Sequence, residues 1–540
     1  MSTDILKQSI SSAELLTRPN GPVQIADSQR RQVALFSNGV AIITTGDRWS
    51  ADVKMALSTA TRRGYEIKEF HEVEPTVLMD LYADETGGAT EAIALELDRQ
   101  VDLSEILAKA AAERASDVHI RVLKRYAEIR IRVFGRAKDL GFREPDEGMA
   151  LIKAAFAVAS DQSGATSDLS FQQGALTSKS NLLPNKVEMV RLQYSPTSDG
   201  RGALVMRLKY EAPANEIEID HLGYNAQQIS DIATMRRRTN GMYILAGKVS
   251  SGKSTTLQRV LNKMFIDKLR EITMYTIEEP VELDLPGAIQ VPVRSGQNGV
   301  DGFTEAMKAS LRSDPNVIVM GETRSSETSN LAIQAVMTGH ALWTTVHAGS
   351  ALGILDRMID LGVPAWKLQD PQVIRGLVYQ RLAGVMCEHC RITFREAVAK
   401  GQLDKELAKK LINVFKKGAD DLYVRGPGCD HCKLGLSGRT VVAETVLTDP
   451  KLLELFARGE RIQMREYWMR PVDEGGLGGL PVLHHALSKV GAGLCDINEV
   501  EEEVDLFSAY ERDFMFLQER LRSDVAVLEQ EQEMKKRLEK

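Results

Sequence analysis

An α/β fold with a parallel sheet covered by helices on both faces is predicted for the body of this chain, and three observations predict it. The stretch Gly247-Lys-Val-Ser-Ser-Gly252-Lys253-Ser254 fits GxxxxGK[ST] without a mismatch. It stands between a short apolar run, Met242 to Ala246, and a segment that places Leu257, Val260, Leu261, Met264 and Phe265 on one helix face. Further apolar runs, at 272–277, 317–320 and 341–346, alternate with helical segments from about Gly223 to Gln380, the pattern of strands buried on both sides.

Strand, glycine loop and helix in that order make a phosphate-binding loop. Backbone N–H groups of Gly247, Lys248, Val249, Ser250, Ser251 and Gly252, and of Lys253, Ser254 and Thr255 at the helix start, would face the phosphates of a nucleotide. Lys253 would neutralise β/γ charge, and the Ser254 hydroxyl would hold Mg²⁺. The run 317–320 ends at Gly321-Glu322, which is what the second element of such a site needs: a strand that fixes a carboxylate near the γ-phosphate and the attacking water. The bland alternative for Glu322 is a helix cap or an ion-pair partner. Glu278, Glu279 and Glu282 cluster at the C-terminal end of a predicted strand, the edge where ligands of open α/β sheets sit, although a solvated acidic turn reads the same way. His340 and His347 bracket another strand; His347, at its end, is placed to read the γ-phosphate or to serve the structure.

A chain of 540 residues is too long for one core, so roughly three or four domains of about 100–200 residues are expected. The proposed divisions are an α/β accessory domain over 1–84, an α+β domain over 100–210, the nucleotide-binding core over 223–386, a metal-knuckle subdomain over 387–450 and a helical region over 451–540. In the first, apolar segments at 33–36 and 40–43 precede a helix that stacks Val53, Leu57 and Ala60; residues 84–90 have linker composition, and a helix is expected from about Val101 to Arg114. The last stretch, from Ser508, carries Phe514, Leu517, Leu521 and Leu528 on one stripe, to pack on its own domain or against a partner. With 43% hydrophobic and 26% charged residues and a net charge of −7, the chain has no global field for nucleic acid or anionic lipid. The first twenty residues do not read as a secretory signal, and no apolar run spans a bilayer, so a cytosolic protein is expected.

Five cysteines rule out a disulfide scaffold. Cys387-Glu-His-Cys390 and Cys429-Asp-His-Cys432 supply four thiolates for a closed, structural tetrahedral zinc site; free or redox-active thiols are the alternative, and His389 and His431 are less favoured ligands. Cys495 reads as a core residue.

The set GKVSSGKS, YTIEEPVE, LRSDPNVIVMGETR, TGHALWTTVH and paired CxxC followed by LGLSGRTVVAE resembles, in that order, the secretion-superfamily ATPases of type II secretion and type IV pilus assembly. The likeness runs from about Val101 to Thr448 and implies a RecA-like core in a hexameric ring. Such a ring turns over ATP and drives an inner-membrane platform protein, as part of the pilus or secretion machinery. Carried over, Lys253 and Ser254 match the Walker A pair, Glu278 and Glu279 the acidic box, Glu322 the Walker B glutamate, and His340 and His347 the histidine box. Arg312 and Arg324 fall on arginines of the Walker B region, and Arg191 and Arg207 on arginines that the preceding domain directs toward nucleotide. The cysteine pairs resemble the zinc knuckle of assembly motors, which favours extension over retraction. The chain departs from the family pattern with Lys248 for proline, Ser250 for glycine, Ala175 for arginine, and Ala348-Gly-Ser350 where Asn-Asp-Ala is usual. The resemblance implies a cytoplasmic protein peripherally associated with the inner membrane, with no nucleic-acid partner. The rival readings are a conjugative DNA translocase or helicase and a nucleotide-dependent scaffold with little turnover.

Overall fold

The computed structural model describes residues 13–18, 21–44, 50–73, 75, 78, 82, 87–160, 170–180, 182–198, 201–211, 218–279, 281, 285–293 and 302–538, with backbone alone at 27–28, 87–98, 179 and 538. Glu282 and residues 84–86 lie outside that set. The chain divides into two compact units, one of residues 1–131 with 137–208 and one of residues 132–136 with 209–540.

The first unit holds two sheets. Strands β1 (Val33–Leu35), β2 (Val40–Thr44) and β3 (Glu69–Val73) form one, with β1 antiparallel and β3 parallel to β2. Alternation along β1 sends Val33 and Leu35 to a core shared with Val53, Ala56 and Ala60 of the helix Ala51–Arg62, and Ala34 to the opposite face. A helix Gly87–Ala112 leads into the second sheet, so the expected linker over 84–90 is corrected from Gly87 onward, and the helix starts well before Val101. The stretch after Gly88 is rich in Ala, Glu and Leu, strong helix formers that outweigh the two glycines at the start. Strands β4 (Asp117–Val122), β5 (Ala127–Val133), β6 (Arg136–Arg143), β7 (Gln172–Leu176), β8 (Val187–Pro196) and β9 (Gly202–Tyr210) lie in the order β6-β5-β4-β9-β8-β7.

The second unit is built on a seven-stranded sheet made from β10 (Gly241–Ala246), β11 (Met274–Glu278), β12 (Ala288–Pro292), β13 (Val317–Met320), β14 (Ala341–Val346), β15 (Ile374–Met386) and, beyond a small pair β16 (Ile392–Thr393) and β17 (Tyr423–Val424), β18 (Leu436–Leu447). Its order is β12-β11-β13-β14-β10-β15-β18, parallel from β12 through β15. Even-numbered Met242, Ile244 and Ala246 enter one hydrophobic cluster and odd-numbered Tyr243 and Leu245 the other, and β13 and β14 divide the same way. Both faces are therefore covered, which is why these strands read as unbroken apolar runs. Tyr243 and Trp343, paired in register on adjacent strands, stack with centroids 4.5 Å apart. With the loop-bearing strand β10 separated from β13 by β14, this is an α/β RecA-like core.

The sheet is not wholly parallel. Strand β18 runs antiparallel to β15 from Gly376↔Leu447 to Met386↔Leu436. The stretch 387–450 is thus part of the core sheet at its end, with the insertion between β15 and β18 carrying the helices Phe394–Ala399 and Lys405–Phe415. The C-terminal helices join the same core: Phe514, Leu517, Leu521 and Val525 are buried in the cluster that holds Ile244 and Ile318. The apolar stripe of the tail therefore packs on its own unit; Leu528, one turn further, is only half-buried. Among the described residues no helix is long and apolar enough to cross a membrane.

Leu521, with no exposed surface, tests that packing. Leu521→Ala is expected to cost about 2–5 kcal/mol in urea unfolding, as buried leucines do, against about 0.5 kcal/mol or less for a residue on an open face.

Candidate active site and cysteine cluster

Parallel pairing puts the C-terminal ends of four strands on one edge. Ala246 of β10 is level with Val346 of β14, Thr344 with Met320 of β13, and Met320 with Ile277 of β11. The residues that follow, 247–254, His347, Gly321-Glu322 and Glu278-Glu279, share the edge where open α/β sheets bind ligands. The loop turns there through Gly247, where a Cβ would lie 2.3 Å from the Gln380 carbonyl oxygen, and opens the helix Lys253–Asp267 with Gly252 as N-cap at φ 84°. Lys253 Nζ donates to the carbonyls of Gly247 (2.9 Å) and Lys248 (3.1 Å), which curls the loop around the ammonium. The Lys248 side chain is exposed, and since a proline would offer the same carbonyl, nothing in the structure explains the departure at 248. Ser250 sits at φ 63°, a conformation where the glycine usual at this position carries no steric penalty.

Across the edge, both oxygens of Glu322 are engaged. Oε2 accepts from Arg324 Nη2 at 2.9 Å and Oε1 lies 3.2 Å from His347 Nε2, while Arg324 Nη1 is 3.6 Å from Glu279 Oε2. The structure thus brings Glu279, Glu322, Arg324 and His347 into one chain of polar contacts. Arg324 is largely exposed, so the chain fixes orientation more than it stabilises the fold. Glu278 faces its own sheet, accepting from Thr276 Oγ1 (2.7 Å) and Gln290 Nε2 (3.1 Å). Behind Glu322, Thr323 and Thr344 share a hydrogen bond of 2.8 Å, and Thr345 Oγ1 donates to the Gly321 carbonyl (2.6 Å). These braces escaped the sequence reading, and polar residues inside apolar strands are the signal that marks them.

His340 is not brought into this group. It precedes β14, at the far end of the strand from His347, and its Nδ1 lies 3.0 Å from the Ala335 carbonyl and 3.1 Å from Thr338 Oγ1, at the end of the helix Ser326–Met337. Arg312 likewise precedes β13, on the edge away from Glu322. In the first unit Arg191 lies on β8 opposite Ala175, and Arg207 on β9 opposite Asp117, to whose carboxylate its Nε donates at 2.9 Å.

The four cysteines converge because β15 ends at Met386 beside Leu436 at the start of β18, so Cys387 and the Cys429–Cys432 turn meet across that end. Their sulfur atoms all lie within 4.8 Å of one another, with 3.8 Å between Cys387 and Cys429, 3.7 Å between Cys390 and Cys432 and 3.7 Å between Cys429 and Cys432. A tetrahedral centre with bonds of about 2.3 Å would space its sulfurs about 3.8 Å apart, so the set could hold a metal ion. The Cys429 amide donates to Cys432 Sγ at 3.2 Å. Burial and the Cys432 thiol push Cys390 up to about 12. His389 and His431 stack on each other at 4.2 Å and lie outside the sulfur cluster. Cys495 is buried elsewhere, its thiol pushed up to about 12 by desolvation.

The Ser250 conformation gives a direct test. Ser250→Val, β-branched at positive φ, is expected to lower stability by roughly 1–2 kcal/mol, whereas Ser250→Gly stays within about 0.5 kcal/mol of the unaltered chain, relief of strain offsetting added unfolded-state entropy. Urea midpoints of the two variants check it.

Residues 97–500 match the family model described as type II/IV secretion system protein. The chain is 31% identical to the type IV pilus assembly ATPase PilB of Pseudomonas aeruginosa, over 67% of this chain and 61% of that protein, so it spans about three-fifths of that relative. It is 28% identical to the type II secretion system ATPase E of Vibrio cholerae, over 74% of each. Among solved structures, the ATPase DotB of Legionella pneumophila superposes with a TM-score of 0.49 at 16% identity, covering 74% of this chain and 95% of that one. With three quarters of its length matched by one family model and the loop, Glu322 and the cysteine pairs placed as described, the chain belongs to the type II/IV secretion system protein family.

Proposed function

We propose that this chain is a Mg²⁺-dependent ATPase motor that powers type IV pilus assembly or type II secretion. The observation that carries it is the meeting, on one sheet edge, of a complete phosphate loop with a carboxylate held by two partners, Arg324 and His347. Phosphoryl transfer to water depends mostly on positioning and charge neutralisation. Lys253, now bonded to its own loop, would turn to the β/γ-phosphates; Ser254 and the neighbouring acidic side chains would hold Mg²⁺, which supplies charge neutralisation at the phosphates. Glu322 orients the attacking water, Glu278 and Glu279 extend the acidic edge, and His347 reads the γ-phosphate while keeping Glu322 in place. Arg191 and Arg207 serve as charge-stabilising contacts delivered when the lobes of the motor close. The four thiolates of Cys387, Cys390, Cys429 and Cys432 hold a structural zinc ion, supported by their spacing. The working form is a homo-hexamer at the cytoplasmic face of the inner membrane, acting on a platform protein, and nucleic acid is not a partner.

Lys253→Ala is expected to abolish tight nucleotide binding, and Glu322→Gln to reduce steady-state phosphate release by roughly 10²-fold or more with the fold intact. Normal turnover by Glu322→Gln would remove that residue from its role, and stimulation of turnover by single-stranded DNA would favour a nucleic-acid motor. For the cysteine cluster, elemental analysis should find about one zinc per chain, tetrahedral four-sulfur sites being mononuclear, and Cys429→Ser should hold well below that. Absence of zinc from the unaltered protein rejects the assignment.

A further inference from the structure

Gln380 is a fully buried polar side chain on β15, one residue beyond the pairing of Ala246 with Tyr379. Its Nε2 donates to the carbonyl of Ser251 in the phosphate loop at 2.7 Å, and its Oε1 accepts from the Tyr224 hydroxyl at 2.7 Å. Tyr224 Oη lies 3.2 Å from Thr256 Oγ1, in the second turn of the helix that the loop opens. Because the tyrosine proton is committed to Gln380, Thr256 donates to Tyr224. The bonds run one way, Thr256 to Tyr224 to Gln380 to Ser251, and return to the loop they started beside. Tyr224, Thr256 and Ser251 are all buried, and burial raises the Tyr224 hydroxyl well above its ordinary value, so it remains a donor. The backbone beside Tyr224 is pinned too: Lys489 Nζ donates to the Gly223 carbonyl at 2.6 Å.

We infer that Gln380, backed by Tyr224, is a positioning residue for nucleotide binding: by holding the Ser251 carbonyl inward it aims the Gly252 N–H outward at the phosphates. The reason is peptide geometry. In a planar trans peptide the C=O and the following N–H point in opposite directions, so fixing one oxygen fixes the next donor. The inference rests on the nucleotide-binding reading above and deepens it, assigning the donor at the loop's last turn to a side chain more than a hundred residues away. The same Gln380 contributes the backbone oxygen against which Gly247 packs, so the two ends of the loop rest on one residue.

The test measures binding of fluorescent N-methylanthraniloyl-ADP with Mg²⁺ to the full chain, to Tyr224→Phe, to Gln380→Leu and to the double variant, with thermal midpoints alongside. Gln380→Leu is expected to weaken binding about 10-fold and Tyr224→Phe about 3-fold, the range of one lost hydrogen bond. The double variant should be no weaker than Gln380→Leu alone, because Tyr224 acts only through Gln380. A purely structural role would lower the thermal midpoint without this non-additive loss of affinity. Affinities within twofold of the unaltered chain, or losses that multiply independently, overturn the inference while leaving the nucleotide site standing. If Gln380→Leu does not fold, the Tyr224→Phe affinity decides by the same threshold. Failure of the unaltered chain to bind overturns the nucleotide reading and this one with it.

Discussion

Strand β10, paired between β14 and, with one register shift after Met242, β15, is the constraint on which the second unit depends. Every side chain along it is buried, and its alternation feeds both hydrophobic clusters. A strand this enclosed cannot slip by one residue without exchanging the two faces. The phosphate loop leaves its end, so loop position inherits the rigidity of the core. The level ends of β13 and β14 place Glu322 and His347 along the same edge, where flexible loops alone could not.

Much of this was legible locally. The glycine loop, the strand before it and the helix after it are contiguous, and the acid after a four-residue apolar run needs only its neighbours to be noticed. What the sequence did not reveal depends on pairing across long separations. Gln380 reads as one polar residue in a strand-like stretch; its meaning requires Ser251, brought near by the β10–β15 ladder. The antiparallel place of β18 was likewise hidden, since the run 436–447 has no feature that states its partner. His340 and His347 look equivalent in the sequence, yet a strand advances about 3.3 Å per residue, and six residues of β14 carry them to opposite edges. Zinc-type spacing was legible in two short motifs, while the convergence of the four sulfurs and the stacking of His389 on His431 needed the structure.

Buried polar groups recur where β18 meets the helices beyond it. Glu444, fully enclosed and held above the ordinary carboxyl range by desolvation, accepts from the Ala351 amide at 2.7 Å and the Val482 amide at 3.0 Å. The helix Val482–Gly491 begins after Pro481, with no side-chain cap of its own, so a carboxylate from the sheet satisfies its first turn. His485 accepts from the Ala443 amide at 3.0 Å and lies 3.2 Å from Gln228 Nε2. Such networks specify one arrangement strongly because any member left unpaired in the interior is costly. The C-terminal helices are therefore held to the sheet by polar registration as well as by apolar packing, and the segment after His347 is tied to them through Ala351.

The sulfur cluster stands at the mouth of the β15–β18 hairpin, and residues 391–428 between its two halves fold back onto the core, with Phe394, Leu411, Phe415 and Leu422 buried in the cluster that holds Ile244. With the mouth closed by the β15–β18 ladder, the entropy of closing the intervening segment grows only with the logarithm of its length, about 0.6 kcal/mol per doubling. Length alone is therefore a weak constraint on it; what holds its helices is packing in the core and the ion pairs Lys410–Glu511 and Lys417–Glu529 to the C-terminal helices, so the two regions can change only together. The cysteines mark the point where that coupled region leaves the ladder that carries Gln380.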